Sequence, residues 1–566
     1  MTSFPQQLLT TRCSAVLLIG LGLGFALCAS VAQAQRTDLF FPPLPGGVDV
    51  PESPGPRPEL LRLPDPEPDF ENRALAPVPQ NQAAAADPLA DYEQRARQVL
   101  ASDPQNEEAL LLLANIFKKR KQADQALSLL LEAHRRDPGQ LTIAIAVGRC
   151  YLEKQAWEEA ECMFAHVASI DPQYPDLQFW LANVQLREGN PLTAYRLLQT
   201  PGNVSHESVL QHQLLLRGQA CHQLGLANEA ACCFRQAASG TDKEAVQEAE
   251  ALQEQLDEIL QWEGRWTVDV QGFLRYDTNP GIVPTANVLG IPTRPEPSLV
   301  DQLDGSVSYD LLRGNNRALS INYAFLRTDV FSAERFNISD NAAQLGYRHQ
   351  TMVGDSTPLQ FFAGLDVDHL EVGLNPFLRR YGANLATTAV LSDWFAVTTT
   401  VSYSRIDYLN QDFLEGTPLD ADSDFGNAGV LLVKRMDEIP LTFQAGLFLS
   451  RNLSQGGNLD FFGQQMQLGA AWAPECTDWE FNLLASVEHR QFDNRDFFFG
   501  VKRHDWEPRI QFLAVYPLSD DWSITAGCSW DRNYSNLITS DFDRQTYQIG
   551  LHYGARCQVP LSPVSH

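Results

Sequence analysis

The sequence predicts a multidomain α + β chain: an N-terminal α-solenoid of paired helices, followed by a transmembrane antiparallel β-barrel of about fourteen strands. Three observations predict it. An Asp-Pro pair recurs every 34 residues, at Asp103-Pro104, Asp137-Pro138 and Asp171-Pro172. From Arg265 onward, apolar residues stop recurring at helical spacing and alternate with polar ones, as on a strand with one apolar face. The N-terminus has the three parts of a secretory leader, which delivers the chain to where such a barrel inserts.

The leader is expected over residues 1–34. Arg12 supplies the positive region, Ala15 to Leu27 the apolar run, and Ala32-Gln33-Ala34 the small-residue cleavage site. The run is short of the ~20 apolar residues that span a bilayer. Residues 35–88 are expected to be a linker. Prolines are dense from Pro42 to Pro88, and a chain so short of backbone donors favours extended polyproline II. A spacer is the first reading and a docking strip for a partner the second. The formal net charge is −28, which excludes the basic stripe that nucleic-acid binding requires.

Residues 89–262 carry the repeats. In the unit closing at Pro138, the small, aromatic, small, large and small slots hold Ala114, Phe117, Ala126, Leu130 and Ala133. In the unit closing at Pro172 they hold Gly148, Tyr151, Ala160, Phe164 and Val167. A third unit keeps Ala182, Ala194 and Leu198. A fourth, slightly out of phase, has Gly218, Ala230, Phe234 and Ala237. The period and slots are those of tetratricopeptide repeats, whose small residues let two helices approach and whose large ones fill the gap to the neighbour. Residues 243–262 read as a polar amphipathic helix that caps the stack. Asn115, Arg149 and Asn183 fall at one first-helix position, expected to face the concave groove and hold cargo. Leu111, Ile145 and Phe179 stand where a carboxylate clamp would begin with lysine, which argues against a reader of C-terminal tails.

Residues 265–556 are expected to form the barrel and residues 557–566 a tail. Trp266, Val268, Val270, Leu274 and Tyr276 alternate with Thr267, Asp269, Gln271, Arg275 and Asp277. Similar runs begin at Leu441, Trp522 and Tyr547. Strand centres fall near residues 271, 306, 322, 344, 365, 385, 399, 429, 446, 467, 485, 511, 527 and 548. That is an even number, with connections alternating between short turns and longer loops, as in outer-membrane barrels. The polar face is rich in Gly, Asn, Gln, Arg and Asp, which suits a wet lumen better than the outside of a sandwich.

No catalytic set is expected, because G-x-S-x-G, H-E-x-x-H and the P-loop are all missing. His504-Asp505-Trp506-Glu507 could be drawn as an acid–base cluster but reads better as lumen wall or rim. Removal of the leader leaves Cys150, Cys162, Cys221, Cys232, Cys233, Cys476, Cys528 and Cys557. Their spacing matches no metal site. Cys232-Cys233 reads as helix packing. Neither metal nor cofactor is expected.

Phe273-Leu274-Arg275-Tyr276-Asp277-Thr278-Asn279-Pro280 is similar to the first barrel strand of the surface lipoprotein assembly modifier family. Asp505-Trp506, Trp530-Asp531-Arg532-Asn533-Tyr534-Ser535-Asn536 and Asp541-Phe542-Asp543-Arg544 are similar to that family's closing strands. The resemblance spans roughly residues 105 to 555. It implies an outer-membrane protein with periplasmic repeats that bind an exported protein or lipoprotein, and a barrel that helps deliver it to the surface. The chain also resembles barrels that export exopolysaccharide, so a polysaccharide conduit is the alternative. Gln548, Gly550, Tyr553 and Ala555 fit the last-strand pattern recognised by the barrel-assembly machinery. Expected partners are therefore outer-membrane lipid, that machinery and the cargo.

Overall fold

The computed structural model describes residues 88–199, 204, 206–262, 266–282, 284, 296–314, 316–354, 357–409, 412–436, 439–474, 477–519 and 521–555. The expected leader 1–34, the linker as far as residue 87, most of the first long loop, the tail 557–566, Cys476 and Cys557 lie outside the described residues. The chain falls into two compact units that part between Glu258 and Ile259.

Among the described residues the first unit carries ten helices, the last of which runs just past its boundary: α1 Pro88–Ser102, α2 Glu107–Lys119, α3 Ala123–Arg136, α4 Leu141–Glu153, α5 Trp157–Ile170, α6 Leu177–Arg187, α7 Pro191–Gln199, α8 Glu207–Gln223, α9 Ala227–Ala238 and α10 Lys243–Trp262. The Asp-Pro period has a local cause. In each recurrence the aspartate Oδ1 accepts the backbone N–H two residues on: Gln105 to Asp103 at 3.2 Å, Gly139 to Asp137 at 3.0 Å, Gln173 to Asp171 at 3.0 Å. The carboxylate thus closes a turn in which proline cannot continue the helix. Asn106 then caps α2, its Oδ1 accepting Ala109 N–H at 3.0 Å. Within each repeat the two helices are joined through one left-handed residue. Gly189 and Gly225 hold it at φ 80° and 75°; Lys121 and Gln155 hold it at φ 60° and 59°, at a cost glycine avoids.

The repeat slots meet between helices. Ala126, Ala160, Ala194 and Ala230 are fully buried, as are Phe164 and Val167. A Cβ on Gly148 would lie 2.5 Å from the Phe164 ring, and one on Gly218 would lie 2.4 Å from Phe234. Any larger residue there forces the helix pair apart. Leu110, Ala114, Leu130, Ile143 and Val147 form one core across α2, α3 and α4, with Phe117 and Tyr151 half-buried at its edge. In the fourth unit, buried Gln211 donates to Ala237 O at 3.0 Å and accepts from Asp242 N at 2.9 Å. That ties α8 to the start of the capping helix.

The second unit is a closed antiparallel barrel: β1 Trp266–Asp277, β2 Ser298–Gly314, β3 Arg317–Val330, β4 Ile338–Val353, β5 Thr357–Val372, β6 Asn375–Ser392, β7 Phe395–Tyr408, β8 Ser423–Arg435, β9 Leu441–Ser454, β10 Phe461–Trp472, β11 Glu480–Arg495, β12 Lys502–Pro517, β13 Trp522–Ser535 and β14 Phe542–Ala555. Each strand pairs with its sequence neighbours, and β1 closes on β14 from Val268↔Ala555 to Asp277↔Thr546. All fourteen expected strand centres fall inside these strands. Closure pairs every strand on both sides, which a backbone in lipid requires.

Burial alternates with the period of two. Leu274 and Tyr276 are exposed outward while Phe273, Arg275 and Asp277 are buried inward. At the short-turn end, outward aromatic rings pair across strands: Trp266 with Tyr309, Trp472 with Phe481, Trp479 with Tyr516, and Trp522 with Tyr553. Exposed Tyr276, Trp506 and Tyr534 lie near the long-loop ends of β1, β12 and β13 and mark the other end. Two aromatic belts flanking an apolar band are the outer surface of a membrane barrel. One connection breaks the expected alternation of lengths. At the long-loop end, β5 turns into β6 through Gly373-Leu374 alone, with φ 57° and 65°. Positive φ at both residues matches the strand twist, which is why so short a hairpin closes there.

Candidate functional site

In the solenoid, the three expected groove residues differ in setting. Asn115 is half-buried. The Arg149 guanidinium lies over the Trp180 ring, 4.9 Å from its centroid. Trp180 in turn packs edge-on to Phe179 at 4.8 Å and stacks on Phe164 at 6.3 Å. Asn183 is only 6% exposed, so it is part of the packing rather than an open surface group. Its sequence period marks the face of the helix but not how deeply the neighbouring repeat covers it.

Sequence reasoning passed over a second polar group at the capped end of the repeats. Arg187, His212 and Glu248 come from α6, α8 and α10. Desolvation holds Arg187 below the usual arginine range and pushes the Glu248 carboxyl up, the latter opposed by attraction to His212 and Arg187. His212 Nδ1 lies 2.8 Å from Ser208 O, while its Nε2 and Glu248 Oε1 are buried without a protein partner.

A carboxylate beside the second and third repeats titrates near neutrality. Burial, then repulsion from Glu161 and Glu158, raises Glu188 to about 7. Gln185 Nε2 bridges Glu161 at 2.9 Å and Glu188 at 3.1 Å. The folded state therefore keeps a proton that the unfolded chain has released between about 4.5 and 7. Stability falls as pH rises through that window. Glu188→Gln is expected to flatten this slope, read as helix melting temperatures at about pH 5 and about pH 8.

Inside the barrel, one wall is a ladder of arginines and carboxylates. Arg490 on β11 reaches Glu488 at 2.5 Å and Glu507 on β12 at 3.1 Å. Arg509 reaches Glu507 at 3.4 Å and Asp531 on β13 at 2.6 Å. Across the seam, Arg544 on β14 grips Asp277 on β1, Nε to Oδ2 at 3.0 Å and a terminal nitrogen to the same oxygen at 2.5 Å. Arg275 then donates to Gln302 at 2.7 Å, and Gln302 and Gln271 donate to Asp304 at 2.8 and 2.6 Å. Charged side chains away from water are tolerated because each is matched in this way.

The His504–Glu507 run does not converge. Asp505 and Glu507 are buried inward, with Arg503 on Asp505 at 2.6 Å, whereas His504 and Trp506 are exposed on the opposite face. Trp506 stacks on outward His489, ring centroids 4.1 Å apart. A different trio does meet at the short-turn end. Ser523 Oγ is 3.3 Å from His552 Nδ1, and His552 Nε2 is 2.7 Å from Asp269. Hydrolysis would also need donors for an oxyanion. The backbone around Ser523 pairs with β12 and β14, and the trio ties β13, β14 and β1 together.

At the long-loop end, the residues that follow β1, as far as Ile282, turn into the mouth of the barrel. Asn279 N–H bonds to Asp277 Oδ1 at 2.9 Å, and its side chain donates to Asp543 O at 3.1 Å. This anchored turn delivers Ile282, fully buried, against Ile338, Leu370, Leu378 and Phe542. Phe542 on β14 and Leu370 on β5 are separated along the wall by β1 to β4, so this apolar cluster reaches across the opening.

No family model matches the chain, and no curated protein matches it. Solved structures do. A crystal structure of MamA protein is 18% identical, with TM-score 0.23, covering 29% of this chain and 86% of that one. A thermophilic tetratricopeptide-repeat protein of Thermus thermophilus is 18% identical, with TM-score 0.25, covering 30% and 91%. OmpT, an outer membrane protein of Vibrio cholerae, is 10% identical, with TM-score 0.30, covering 51% and 98%. The chain's own geometry carries the assignment: tetratricopeptide-type helix pairs followed by a fourteen-strand barrel of outer-membrane type.

Proposed function

We propose that the protein is a translocon-like component of the outer membrane, whose repeats gather an exported protein or lipoprotein in the periplasm and whose barrel helps deliver it to the surface. The observation that carries this reading is the joining of a repeat groove to a closed membrane barrel in one chain. A plain pore has no use for a periplasmic solenoid, and a solenoid presents a concave surface for an extended segment. An even strand number puts both barrel ends on the same side, where the leader delivers the N-terminal repeats. Gln548, Gly550, Tyr553 and Ala555 on β14 supply the pattern for handling by the barrel-assembly machinery. The role is binding and delivery, without a cofactor, metal or catalytic step.

The test separates groove from linker. Because Asn183 is buried, the clean groove variant is Asn115→Ala with Arg149→Ala, which removes one polar group and the cation over Trp180. Cargo capture is expected to weaken about tenfold or more, as for loss of an arginine anchor. A photo-crosslinking residue at position 115 should trap the same cargo. Deleting residues 40–80 should do less, because a spacer tolerates shortening while it still spans the gap. Surface cargo is compared at equal barrel abundance. Normal display by the groove variant with loss in the linker deletion would make the proline strip the docking element. Loss of surface polysaccharide instead of protein would favour the exporter alternative.

A further inference from the structure

The fourth repeat departs from the first two in one pair of slots. In the first repeat the residues three places after Ala114 and after Ala126 are Phe117 and Leu129. In the second, the residues three places after Gly148 and Ala160 are Tyr151 and Met163. All four pack as large half-buried side chains on the first core. In the fourth repeat, the residues three places after Gly218 and Ala230 are Cys221 and Cys233. Two bulky groups have been replaced together by two small thiols. Yet the site is more tightly enclosed: Cys221 is fully buried and Cys233 is 6% exposed. The two thiols hydrogen-bond to each other across the α8–α9 hairpin.

We infer that Cys221 and Cys233 form a disulfide in the exported protein, stapling the α8–α9 hairpin next to the capping helix. This rests on the periplasmic placement of the repeats, where a disulfide-donating thiol oxidoreductase is the oxidant. The exchange balances. A Cys233 thiolate attacks the donor's disulfide and releases one donor thiolate; Cys221 then attacks the mixed disulfide and releases the second. Two protein thiols lose two electrons and two protons, and the donor disulfide becomes a dithiol. The order follows the environment. Cys233 keeps slight exposure while Cys221 is fully buried, so Cys233 meets the donor first. The chain carries its own control. Cys150 and Cys162 have the same spacing one slot earlier, but Cys150 is buried and Cys162 exposed, so they do not share a pocket.

The full-length protein, purified from membranes and denatured without reductant, is alkylated and digested. The expected result is a reductant-sensitive cross-link between the Cys221 and Cys233 peptides, with Cys150, Cys162 and Cys232 alkylated. Reductant should lower the helix melting temperature of the full chain by about 5–10 °C. Cys221→Ser with Cys233→Ser removes both thiols without adding volume to the enclosed site, so this variant should fold and lose the reductant response. Complete alkylation of Cys221 and Cys233 without reductant, in protein whose leader has been removed, overturns the inference. Retention of the leader would instead sink the export reading. The cross-link is then sought after refolding the chain in a glutathione disulfide buffer, where its failure to form also overturns the inference.

Discussion

Asp277→Ala is expected to weaken the closed barrel by about 3–5 kcal/mol, the usual result of removing one partner from a buried ion pair. Asp277 is fully buried and Arg544 is 4% exposed, so neither is held in place by water. They are 267 residues apart in sequence and join the first strand to the last. Loss of the carboxylate leaves the Arg544 guanidinium uncompensated at the seam, and strands that close a barrel have no other edge to pair with. The measurement is the temperature at which the folded form converts to the slower unfolded form on a semi-native gel, which should drop. Asp277→Ala combined with Arg544→Leu should recover most of the loss, because two apolar groups leave no orphaned charge. An unchanged conversion temperature in the single variant would mean that the remaining ladder, with His552 on Asp269 at the other end, suffices to hold the seam.

The strands and repeats were legible because each has a local cause. The aspartate of each Asp-Pro pair bonds to a backbone group two residues away, and outward residues alternate because a strand's period is two. The seam was only half legible. Asp277 and Arg544 both lie in segments that resemble one family's first and closing strands, but their pairing is fixed by closure, which no local pattern encodes. The same limit applies to Ser523, His552 and Asp269, gathered from three strands. It also explains Asn183. The 34-residue period puts it in line with Asn115 and Arg149, whereas its burial depends on tertiary packing that the period does not encode. The His504–Glu507 run was legible in the opposite sense. Alternation alone places His504 and Trp506 on one face and Asp505 and Glu507 on the other, so their nearness in sequence never made them a site.

Ile282→Ala is expected to open the mouth of the barrel. Ile282 is fully buried, and deleting such a side chain to alanine costs about 2–5 kcal/mol. That cost falls on the docking of one loop rather than on the barrel ladder, which Ile282 does not join. Against a docked loop, each 1.4 kcal/mol is about a tenfold shift, so the variant loop should spend a large share of its time undocked. The anchor at Asn279 lies on the strand side of Ile282 and should keep the turn at the seam while the apolar contact across the opening is lost. Conductance through the purified barrel in a planar bilayer is therefore expected to rise relative to the unaltered protein, with semi-native gel mobility unchanged. Phe542→Ala, on the far side of the same cluster, should act in the same direction. Leu447→Ala, outward-facing and 60% exposed to the lipid side, should leave conductance as it was. Equal conductance in all three variants would show that the Ile282 cluster does not limit passage. The constriction would then have to be sought deeper in the lumen, near inward Phe448 midway along β9.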